Sequence, residues 1–470
     1  MWVRRCILRK VLLQRQFHAA TAVVPLLEDL QRRGFVQDIT RHDSVLGNAL
    51  ESKKQTIYAG VDPTAKSLHI GHLIPMLVLL HFQIHGHRVM PLIGGATGRL
   101  GDPSGRLVER QLADIKQVDN NADNLTASIQ SFFNRALVYA SSRLSLDQDI
   151  HARLSVVNNL EWHQPVTLLE FLHKVGAHVR INTMLNRESV SARLSSQQGL
   201  SFTEFTYQLL QAYDFYHLNK HFGCTIQVGG SDQWGNIVAG LELIGKLGDP
   251  LTSKRPLANE AFGITTPLLT TSSGEKFGKS AGNAVWLNPT LTSVFDFYQY
   301  FLKVTDADVG KYLRLLTLMP LEEIEELVTK HNAQPEKRLA QSRLAAEVTE
   351  MVHTKTGVAQ AVARTKLLFG SDYTSLKVED VIMAFQDDPR LVKATLHDIT
   401  KTPLSKLAAK YGLVSSNSAS RTLISSRGLY LNDKTVKTAQ DVIELCDLQD
   451  QKIAILRAGK GKILILVVSD

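Results

Sequence analysis

The chain has 470 residues, of which 44% are hydrophobic and 21% charged, the composition of an ordinary globular protein with room for about three domains. No apolar run approaches the ~20 residues of a transmembrane helix. Three scattered cysteines exclude a disulfide framework and a cysteine metal site, and the sixteen histidines include no HExxH motif, so we predict no bound metal. The formal net charge of +8 suggests a polyanionic partner.

The N-terminus has the pattern of a targeting leader. Residues 1–27 contain five Arg or Lys residues and no acidic residue, and apolar side chains interleave with the cations at roughly helical spacing. This pattern is typical of a mitochondrial transit peptide. We assign residues 1–17 to it and expect the mature chain to begin near His18, in the mitochondrial matrix. A basic tail that binds RNA is the alternative.

The segment after Gln55 follows a strand–helix–strand pattern. The short apolar strand TIYAG precedes the helix GHLIPMLVLLHFQIHG, and RVMPLIGG is the next predicted strand. The same order returns at CTIQVGGSDQWGNIVAGLELIGKLG. Two such halves predict an α/β fold over residues 18–290 with a doubly wound, Rossmann-like parallel sheet, whose ligands lie at the carboxyl ends of the strands. A helix-rich insertion is predicted over about 111–200.

The second half of the chain changes character twice. Residues 291–385 place apolar side chains at three- and four-residue steps, which predicts an α-helical domain. A linker is expected over 386–402, beside two prolines. Residues 403–470 contain short strands and turns with an excess of basic side chains, and they predict a small α+β domain.

Two motifs are candidates for chemistry. HIGH, residues 69–72, opens the first predicted helix, where free backbone N–H groups favour anions. GEKFGKS is not a phosphate-binding P-loop, because three residues rather than four separate Gly274 from Gly278, and a loop rather than a helix is predicted after Ser280. Its two lysines nevertheless suit a phosphate.

HIGH with KFGKS at 276–280 resembles the signature pair of class I aminoacyl-tRNA synthetases. The stretches GVDPTAKSLHIGHL, GGATGRLGDPSGR, FTEFTYQLLQAYDF and QVGGSDQWGN resemble the bacterial and mitochondrial tyrosyl-tRNA synthetases, and the likeness covers nearly everything from Leu26 onward. The resemblance implies that tyrosine and ATP, with Mg²⁺, give tyrosyl-adenylate and pyrophosphate. Tyrosine is then transferred to the 3′ end of mitochondrial tRNA-Tyr, and no tightly bound metal is expected.

The resemblance also implies catalysis by positioning and by cations, without a protein nucleophile. The expected catalytic residues are Thr64, His69, His72, Lys276, Lys279 and Ser280. The expected ATP contacts are Asp62, His69, Gly71, His72, Gly230, Asp232, Lys276, Phe277, Gly278, Lys279 and Ser280, with Arg106 and Arg110 as candidates for pyrophosphate.

One predicted helix has the right face for the amino acid. Tyr207, Gln211 and Asp214 stand at i, i+4 and i+7, a span of roughly 10 Å, about the length of tyrosine. Without the resemblance, core aromatics and a capping acid would explain these residues. With it, Tyr207, Gln211 and Asp102 hold the α-ammonium group, Asp214 and Tyr58 the phenolic hydroxyl, and Gln233 the carboxyl group.

Two further segments resemble parts of the same family: the C-terminal tail and the stretch GLSFTEFTYQLL. The tail resembles the S4-type RNA-binding module, although a basic surface on a stabilising domain would also explain it. GLSFTEFTYQLL resembles the dimer-forming region, so we expect a homodimer with tRNA spanning both subunits and no membrane partner. The candidate RNA contacts are Arg421, Arg427, Lys460 and Lys462.

Three alternatives compete. Tryptophanyl enzymes share the fold and both motifs, but Asp214 with Tyr58 favours a phenol over an indole. Another HxGH nucleotidyltransferase would need neither the polar helix nor the basic tail. A synthetase-derived RNA-binding splicing factor would have lost catalysis, whereas His69, His72 and the loop lysines are intact.

Overall fold

The computed structural model describes residues 24–104, 114–144, 146, 148–195, 199–247, 261–275, 277–280, 283–369, 377–386, 388–459 and 461–469. The leader predicted over 1–17 lies outside these residues, as do Arg106, Arg110, Lys276 and Lys460, and only the backbone is described for Lys279 and Ser280. The chain divides into two compact units, residues 1–285 with 310–326 and residues 286–309 with 327–470.

The regular elements are numbered here in chain order within the described residues. The helices are α1 Leu26–Arg33, α2 Asp43–Ser52, α3 Leu73–Ile84, α4 Ile115–Ser141, α5 Leu160–His163, α6 Leu168–Lys174, α7 Ile181–Leu185, α8 Glu188–Leu194, α9 Phe202–Phe222, α10 Trp234–Leu247, α11 Val294–Leu302, α12 Asp306–Leu316, α13 Leu321–Ala333, α14 Leu339–Phe369, α15 Val378–Ala384, α16 Leu396–Lys401, α17 Leu404–Lys410 and α18 Asn417–Ser425. The strands are β1 Asp38–Ile39, β2 Thr56–Val61, β3 Arg88–Ile93, β4 Val157–Asn158, β5 Cys224–Gly230, β6 Phe262–Thr266, β7 Lys279–Ser280, β8 Asn283–Ala284, β9 Leu391–Thr395, β10 Leu429–Leu431, β11 Lys434–Thr435, β12 Ile453–Ala458 and β13 Lys462–Ser469.

The first unit is built on a six-stranded sheet in the order β1-β6-β5-β2-β3-β4. Five of these strands run parallel, and only the two-residue edge strand β1 pairs antiparallel, with β6. The chain leaves β2 toward β3 on one side and returns to β5 on the other. The predicted doubly wound α/β fold is confirmed, and the point where the strand order reverses lies between β2 and β5, the usual ligand position in such sheets.

The helix that follows HIGH is buried on nearly all sides. Ten of the twelve residues of α3 are buried, and full burial stabilises each large apolar side chain by about 1.5–3 kcal/mol. Pro75 lies in the first turn, where its missing N–H removes no helical hydrogen bond. Helix α3 is therefore a buried helix that packs against β2 and β3.

The predicted amino-acid helix, α9, is fixed at both ends. The Ser201 side chain accepts a hydrogen bond from the backbone N–H of Glu204, and Gly223 ends the helix in the left-handed conformation at φ +64°. Along its length α9 packs against α10. Their approach at Gly240 is so close that a Cβ there would lie 2.9 Å from Phe215 Cδ1.

The second unit contains a five-stranded sheet in the order β11-β10-β12-β13-β9. Strand β9 pairs in parallel with β13, and α16 follows it directly. The prediction of a linker over 386–402 was therefore wrong: the segment supplies an edge strand and a helix. Only Ala394 of β9 is fully buried, so the strand lacks the apolar alternation that would have marked it.

Both faces of this second sheet are buried. Along β12 and β13, Leu456 and Leu464 enter one apolar core, while Ile455 and Ile465 enter another, as the two-residue period of a strand requires. The second core also takes side chains from α14 and α15, and from Phe385, which directly follows α15. The domain boundary predicted at residue 385 thus falls inside a shared core. Among the described residues, no helix has both the length and the apolar character of a membrane span.

Candidate active site

A cavity of about 430 Å³ opens at the carboxyl ends of β2 and β5. Residues distant in sequence meet there: they come from the carboxyl ends of β2 and β5 and from one face of α9. The cavity is lined by these predicted site residues: Tyr58, Asp62, Thr64, His69, Gly71, His72, Asp102, Tyr207, Gln211, Asp214, Gly230, Asp232 and Gln233.

The HIGH motif forms a single 3₁₀ turn, Ile70–His72, that leads into α3. His69 Nδ1 accepts the backbone N–H of Gly71 at 3.1 Å, His72 Nδ1 accepts that of His69 at 3.1 Å, and the two rings stack at 3.9 Å. A Cβ on Gly71 would lie 2.9 Å from the His69 ring, so glycine is needed here.

The hydrogen bond to His72 determines its tautomer. Burial, and to a smaller extent His69, lowers the pKa of His72 to about 3, so the ring is neutral near pH 7. Because Nδ1 is an acceptor, the proton is on Nε2. His72 therefore presents an uncharged N–H donor on a ring that lines the cavity.

The inner end of the cavity holds a buried carboxylate. Asp214 is 2% exposed, and its Oδ1 accepts from Trp162 Nε1 at 2.8 Å and His163 Nε2 at 2.7 Å, while Oδ2 accepts from Asn159 Nδ2 at 3.0 Å. A carboxylate offers about four acceptor positions. One position therefore remains, on Oδ2.

Tyr58 lies near Asp214 with its hydroxyl unused. The side chain is 1% exposed, and its Oη has no hydrogen-bond partner. Burial, and then the charge of Asp214, raises the pKa of Tyr58 well above its ordinary value, so the hydroxyl keeps its proton. A buried hydroxyl without a partner costs free energy, and a polar group entering the cavity can supply the missing bond.

Asn159 links this end of the cavity to Asp62. It is fully buried, and besides Asp214 its Nδ2 donates to Thr97 Oγ1 at 3.0 Å, while its Oδ1 accepts the backbone N–H of Ala96 at 2.7 Å. Thr97 Oγ1 then donates to Asp62 Oδ1 at 2.8 Å. A continuous chain of hydrogen bonds therefore joins the two carboxylates.

Two of the predicted ammonium ligands, Asp102 and Gln211, belong to a second network, whereas Tyr207 joins the first. Tyr207 donates to Asp62 Oδ2 at 2.8 Å. Asp102 Oδ2 accepts from Gln233 Nε2 at 2.8 Å, and Gln233 Oε1 accepts from Gln211 Nε2 at 3.2 Å. The two amide hydrogens of the buried Asn236 are shared among three acceptors, Gln211 Oε1, Gln233 Oε1 and Ser104 Oγ, at 3.0–3.2 Å from Nδ2, and so tie this group together.

The signature loop meets the HIGH turn. Gly278, at φ +98°, lies so close that a Cβ there would be 3.3 Å from Ile70 Cβ. Val285 donates its backbone N–H to the Gly278 carbonyl, and Ile70 donates to that of Val285. Phe277 is buried against the ring of Tyr312, at a centroid distance of 4.1 Å. Backbone residues 279–280 form β7, so the loop positions predicted to hold phosphate start beside His69 and His72.

The predicted RNA contacts lie in the second unit. Arg421 is exposed on α18, Arg427 is exposed just after that helix, and Lys462 is exposed at the start of β13. The Gly428 carbonyl accepts the backbone N–H of Gly459, next to the turn that leads into β13. Arg427 and Lys462 are therefore near the same end of the paired strands β10, β12 and β13.

Sequence reasoning missed several residues of the site. Asn159 follows the two-residue strand β4, at the carboxyl end of the sheet, where polar residues gather. The motif VVNN was a usable signal, but it lay within a region predicted to be a helical insertion. The missed residues are Thr97, Ser104, Asn159, Trp162, His163 and Asn236.

Comparison with known proteins gives consistent matches. The family model described as tRNA synthetases class I (W and Y) matches residues 50–370. The mitochondrial tyrosine–tRNA ligase of Saccharomyces cerevisiae is 40% identical over 446 residues, 94% of this chain and 88% of that protein. The tyrosine–tRNA ligase of Roseiflexus castenholzii is 40% identical over 437 residues, 93% and 97% of the two chains. A crystal structure of a C-terminally truncated mitochondrial tyrosyl-tRNA synthetase from Aspergillus nidulans shares 36% identity with a TM-score of 0.68, covering 74% of this chain and 94% of that one.

The doubly wound sheet, the HIGH turn and the adjoining loop are those of a class I aminoacyl-tRNA synthetase, in agreement with the family match over more than half of the chain. At 40% identity over most of both sequences, the chain belongs to the tyrosine–tRNA ligase family. The resemblance predicted from the sequence is thereby confirmed.

The role of Asn159 can be tested by Asn159→Asp, which keeps the shape but exchanges two donors for acceptors. We expect the free energy of unfolding to fall by about 2–4 kcal/mol near pH 8, because two carboxylates then face each other without their hydrogen bonds. The loss should shrink toward pH 5, since a proton shared by the pair relieves the repulsion and the native state binds more protons than the unfolded one. Urea unfolding at several pH values measures this.

The matched control is Asn124→Asp, at an exposed position of α4, which should change stability by less than about 0.5 kcal/mol. If the Asn159→Asp protein is as stable as the parent at pH 8, the hydrogen bonds of the Asn159 amide do not stabilise Asp214 or its link to Asp62.

Proposed function

We propose that this protein activates L-tyrosine with ATP, giving tyrosyl-adenylate and pyrophosphate, and transfers the tyrosyl group to the 3′ end of tRNA-Tyr. The observation that carries the proposal is the inner end of the cavity, where Tyr58 has an unpartnered hydroxyl and Asp214 one free acceptor position. A phenolic hydroxyl satisfies both, because it donates to Asp214 and accepts from Tyr58. The names of the similar proteins support the same substrate.

The same end of the cavity discriminates between amino acids. Phenylalanine would leave the Tyr58 hydroxyl and an Asp214 oxygen unpaired in a buried site, which costs far more than a lost methylene contact. Tyrosyl enzymes are the reference case for this effect, with a preference of about 10⁵ over phenylalanine. Tryptophan is not favoured, since an indole N–H could satisfy Asp214 but could not accept from Tyr58.

Activation requires positioning rather than a protein nucleophile. Tyr207, Gln211 and Asp102 hold the α-ammonium group of tyrosine. Its carboxylate oxygen then attacks the α-phosphorus of ATP in line, so that a new oxygen–phosphorus bond forms as the bond to pyrophosphate breaks. We assign Gln233 to the substrate carboxyl group, although in this structure its amide bonds Asp102 and Gln211.

The outer part of the cavity is assigned to ATP. His69 and His72 point hydrogen-bond donors at the phosphates, beside Thr64 and the backbone of Gly71. Lys276, Lys279 and Ser280, with Phe277 and Gly278 in the same loop, together with Arg106 and Arg110, are assigned to the leaving pyrophosphate, and Asp62, Gly230 and Asp232 to the nucleoside.

Mg²⁺ is assigned to the phosphates rather than to a protein cage. Within the described residues, no group of three or more His, Cys, Asp or Glu side chains is placed to hold a metal ion. Magnesium that accompanies a nucleotide is held chiefly by phosphate oxygens and water. When bound, it would neutralise part of the phosphate charge.

The activation site can be tested by ATP–pyrophosphate exchange with tyrosine, tryptophan and phenylalanine offered separately. We expect exchange with tyrosine alone. Tyr58→Phe should raise the KM for tyrosine, and lower the preference over phenylalanine, by about tenfold, the size of one hydrogen bond. Exchange with tryptophan would reject the assignment of the pocket.

A control and a second test accompany this measurement. Tyr430→Phe, in the second unit, removes the same atom far along the chain and should leave exchange unchanged.

Lys279→Ala should lower kcat by about 10² or more if this lysine stabilises the leaving group. Exchange that survives this change undiminished would remove Lys279 from the mechanism.

The second unit is assigned to tRNA. Its candidate contacts to RNA phosphates are the exposed Arg421, Arg427 and Lys462, together with Lys460. Each such contact contributes little affinity alone, and their combined contribution falls as the salt concentration rises. The intact cavity argues against a splicing factor that has lost catalysis.

We expect Arg421→Ala combined with Lys462→Ala to raise the KM for tRNA in aminoacylation by about tenfold while leaving ATP–pyrophosphate exchange unchanged. Lys406→Ala, another basic position of the second unit, serves as the control for loss of charge alone. Equal charging by the double variant and the parent at physiological salt would place the RNA surface elsewhere.

We also propose that two copies of the chain associate through the first unit. Large apolar side chains are exposed there on α6, α7 and the start of α9: Leu168 is 70% exposed, Leu169 79%, Ile181 65% and Phe202 76%. Exposed apolar surface of this extent is typical of an interface, and α9 carries the tyrosine ligands. A dimer would therefore stiffen the site.

Leu169→Glu should dissociate the dimer at micromolar concentration, because a buried unpaired charge in an interface costs several kcal/mol. Sedimentation equilibrium measures the mass. Leu445→Glu, at an exposed apolar side chain of the second unit, should leave the mass unchanged. A parent chain that sediments as a monomer contradicts the proposal.

We assign the protein to the mitochondrial matrix, on the composition of residues 1–17 and on the mitochondrial relatives. Import into isolated mitochondria, which should fail when residues 1–17 are deleted, tests the assignment.

A further inference from the structure

His163 contacts the buried carboxylate that we assign to the phenolic hydroxyl. Its Nε2 lies 2.7 Å from Asp214 Oδ1, and the imidazole is 8% exposed. A carboxylate only accepts hydrogen bonds, so the Nε2 atom carries the proton and donates. His163 belongs to none of the motifs recognised in the sequence.

All three donors to Asp214 come from one turn of chain. Asn159, Trp162 and His163 stand at i, i+3 and i+4 around the four-residue helix α5, and so they share one face. The neighbouring aromatic rings fix their direction. Trp162 stacks on His217 at 4.6 Å, and His163 lies 5.5 Å from the Tyr213 ring.

The three bonds divide the carboxylate unequally. Trp162 and His163 fill both acceptor positions of Oδ1, whereas Asn159 fills one position of Oδ2. Without the His163 bond, Oδ1 would have an open position. A water molecule or a rotated carboxylate could then use it, and the free position on Oδ2 would no longer be held toward the cavity.

We infer that His163 is a positioning residue for tyrosine recognition: its N–H holds the Asp214 carboxylate so that the remaining acceptor position of Oδ2 faces the substrate hydroxyl. This inference rests on the role of Asp214 in the proposed function. His163 does not touch the substrate. It acts on the affinity for tyrosine and on its preference over phenylalanine, not on the transfer chemistry.

The test compares two replacements of His163 in ATP–pyrophosphate exchange. His163→Leu removes the donor and keeps an apolar side chain of comparable size. His163→Gln keeps an uncharged N–H donor at the same number of bonds from Cα as Nε2. His151→Leu, at an exposed histidine of the same unit, controls for the loss of an imidazole, and thermal unfolding of each variant controls for folding.

We expect His163→Leu to raise the KM for tyrosine about tenfold, the size of one hydrogen bond to a charged group. The kcat and the KM for ATP should stay within about twofold of the parent, and the preference over phenylalanine should fall about as much as the KM for tyrosine rises. His163→Gln should restore most of both losses.

Two results would overturn the inference: unchanged tyrosine kinetics in His163→Leu, or equal impairment in His163→Gln, which would show that the ring and not its N–H matters. Asp214→Asn separates this from the proposed function. If Asp214→Asn keeps the full preference for tyrosine, the assignment of Asp214 fails and His163 falls with it. If that preference is lost but His163→Leu is normal, only the inference about His163 fails.

Discussion

The buried carboxylate of Asp214 is the interaction on which the rest of the site depends. Removing an ionised carboxylate from water costs several kcal/mol unless hydrogen bonds replace its hydration. Here one turn of chain supplies three N–H groups, so the short helix α5 and the long helix α9 are fixed to each other through a charge. A hydrophobic contact in the same place would join the helices equally well, but it would leave no acceptor for a ligand.

That constraint extends across three neighbouring strands of the sheet. Asp62 follows β2, Thr97 follows β3 and Asn159 follows β4, and these three side chains bond in sequence across the carboxyl ends of adjacent parallel strands. Because Asn159 uses both of its amide hydrogens and its carbonyl, neither Asp62 nor Asp214 can reorient alone. The two ends of the cavity are therefore set relative to each other before any substrate arrives, which is the condition for catalysis by positioning.

The parts of this site that were predictable from sequence repeat a local pattern. The alternation of strand and helix predicted the sheet, and steps of four and three predicted the shared face of Tyr207, Gln211 and Asp214. The donors to Asp214 have no period to detect, since a two-residue strand and a four-residue helix are too short to show one. Strand β9 was not predicted for a related reason. Its partner β13 is distant in sequence, and only Ala394 among its side chains is buried, so the strand shows no apolar alternation.

The described lining of the cavity is acidic at both ends. Among the described residues, the lining contains Asp62, Asp102, Asp214 and Asp232 but no Lys or Arg, and His72 is neutral because burial lowers its pKa to about 3. Such a lining suits the ammonium group of an amino acid and repels the phosphates of ATP.

In the proposed function, the HIGH turn therefore orients the phosphates of ATP through the neutral His72 and does not neutralise them through that ring. In the proposed function, the compensating charge comes from Mg²⁺ and from the basic positions assigned to pyrophosphate, Arg106, Arg110, Lys276 and Lys279. Recognition of tyrosine and compensation of phosphate charge are thus carried by different parts of the chain. In the proposed function, buried side chains at the carboxyl ends of the strands perform the first, and the long cationic side chains assigned to pyrophosphate are suited to the second, since pyrophosphate must leave after every turnover.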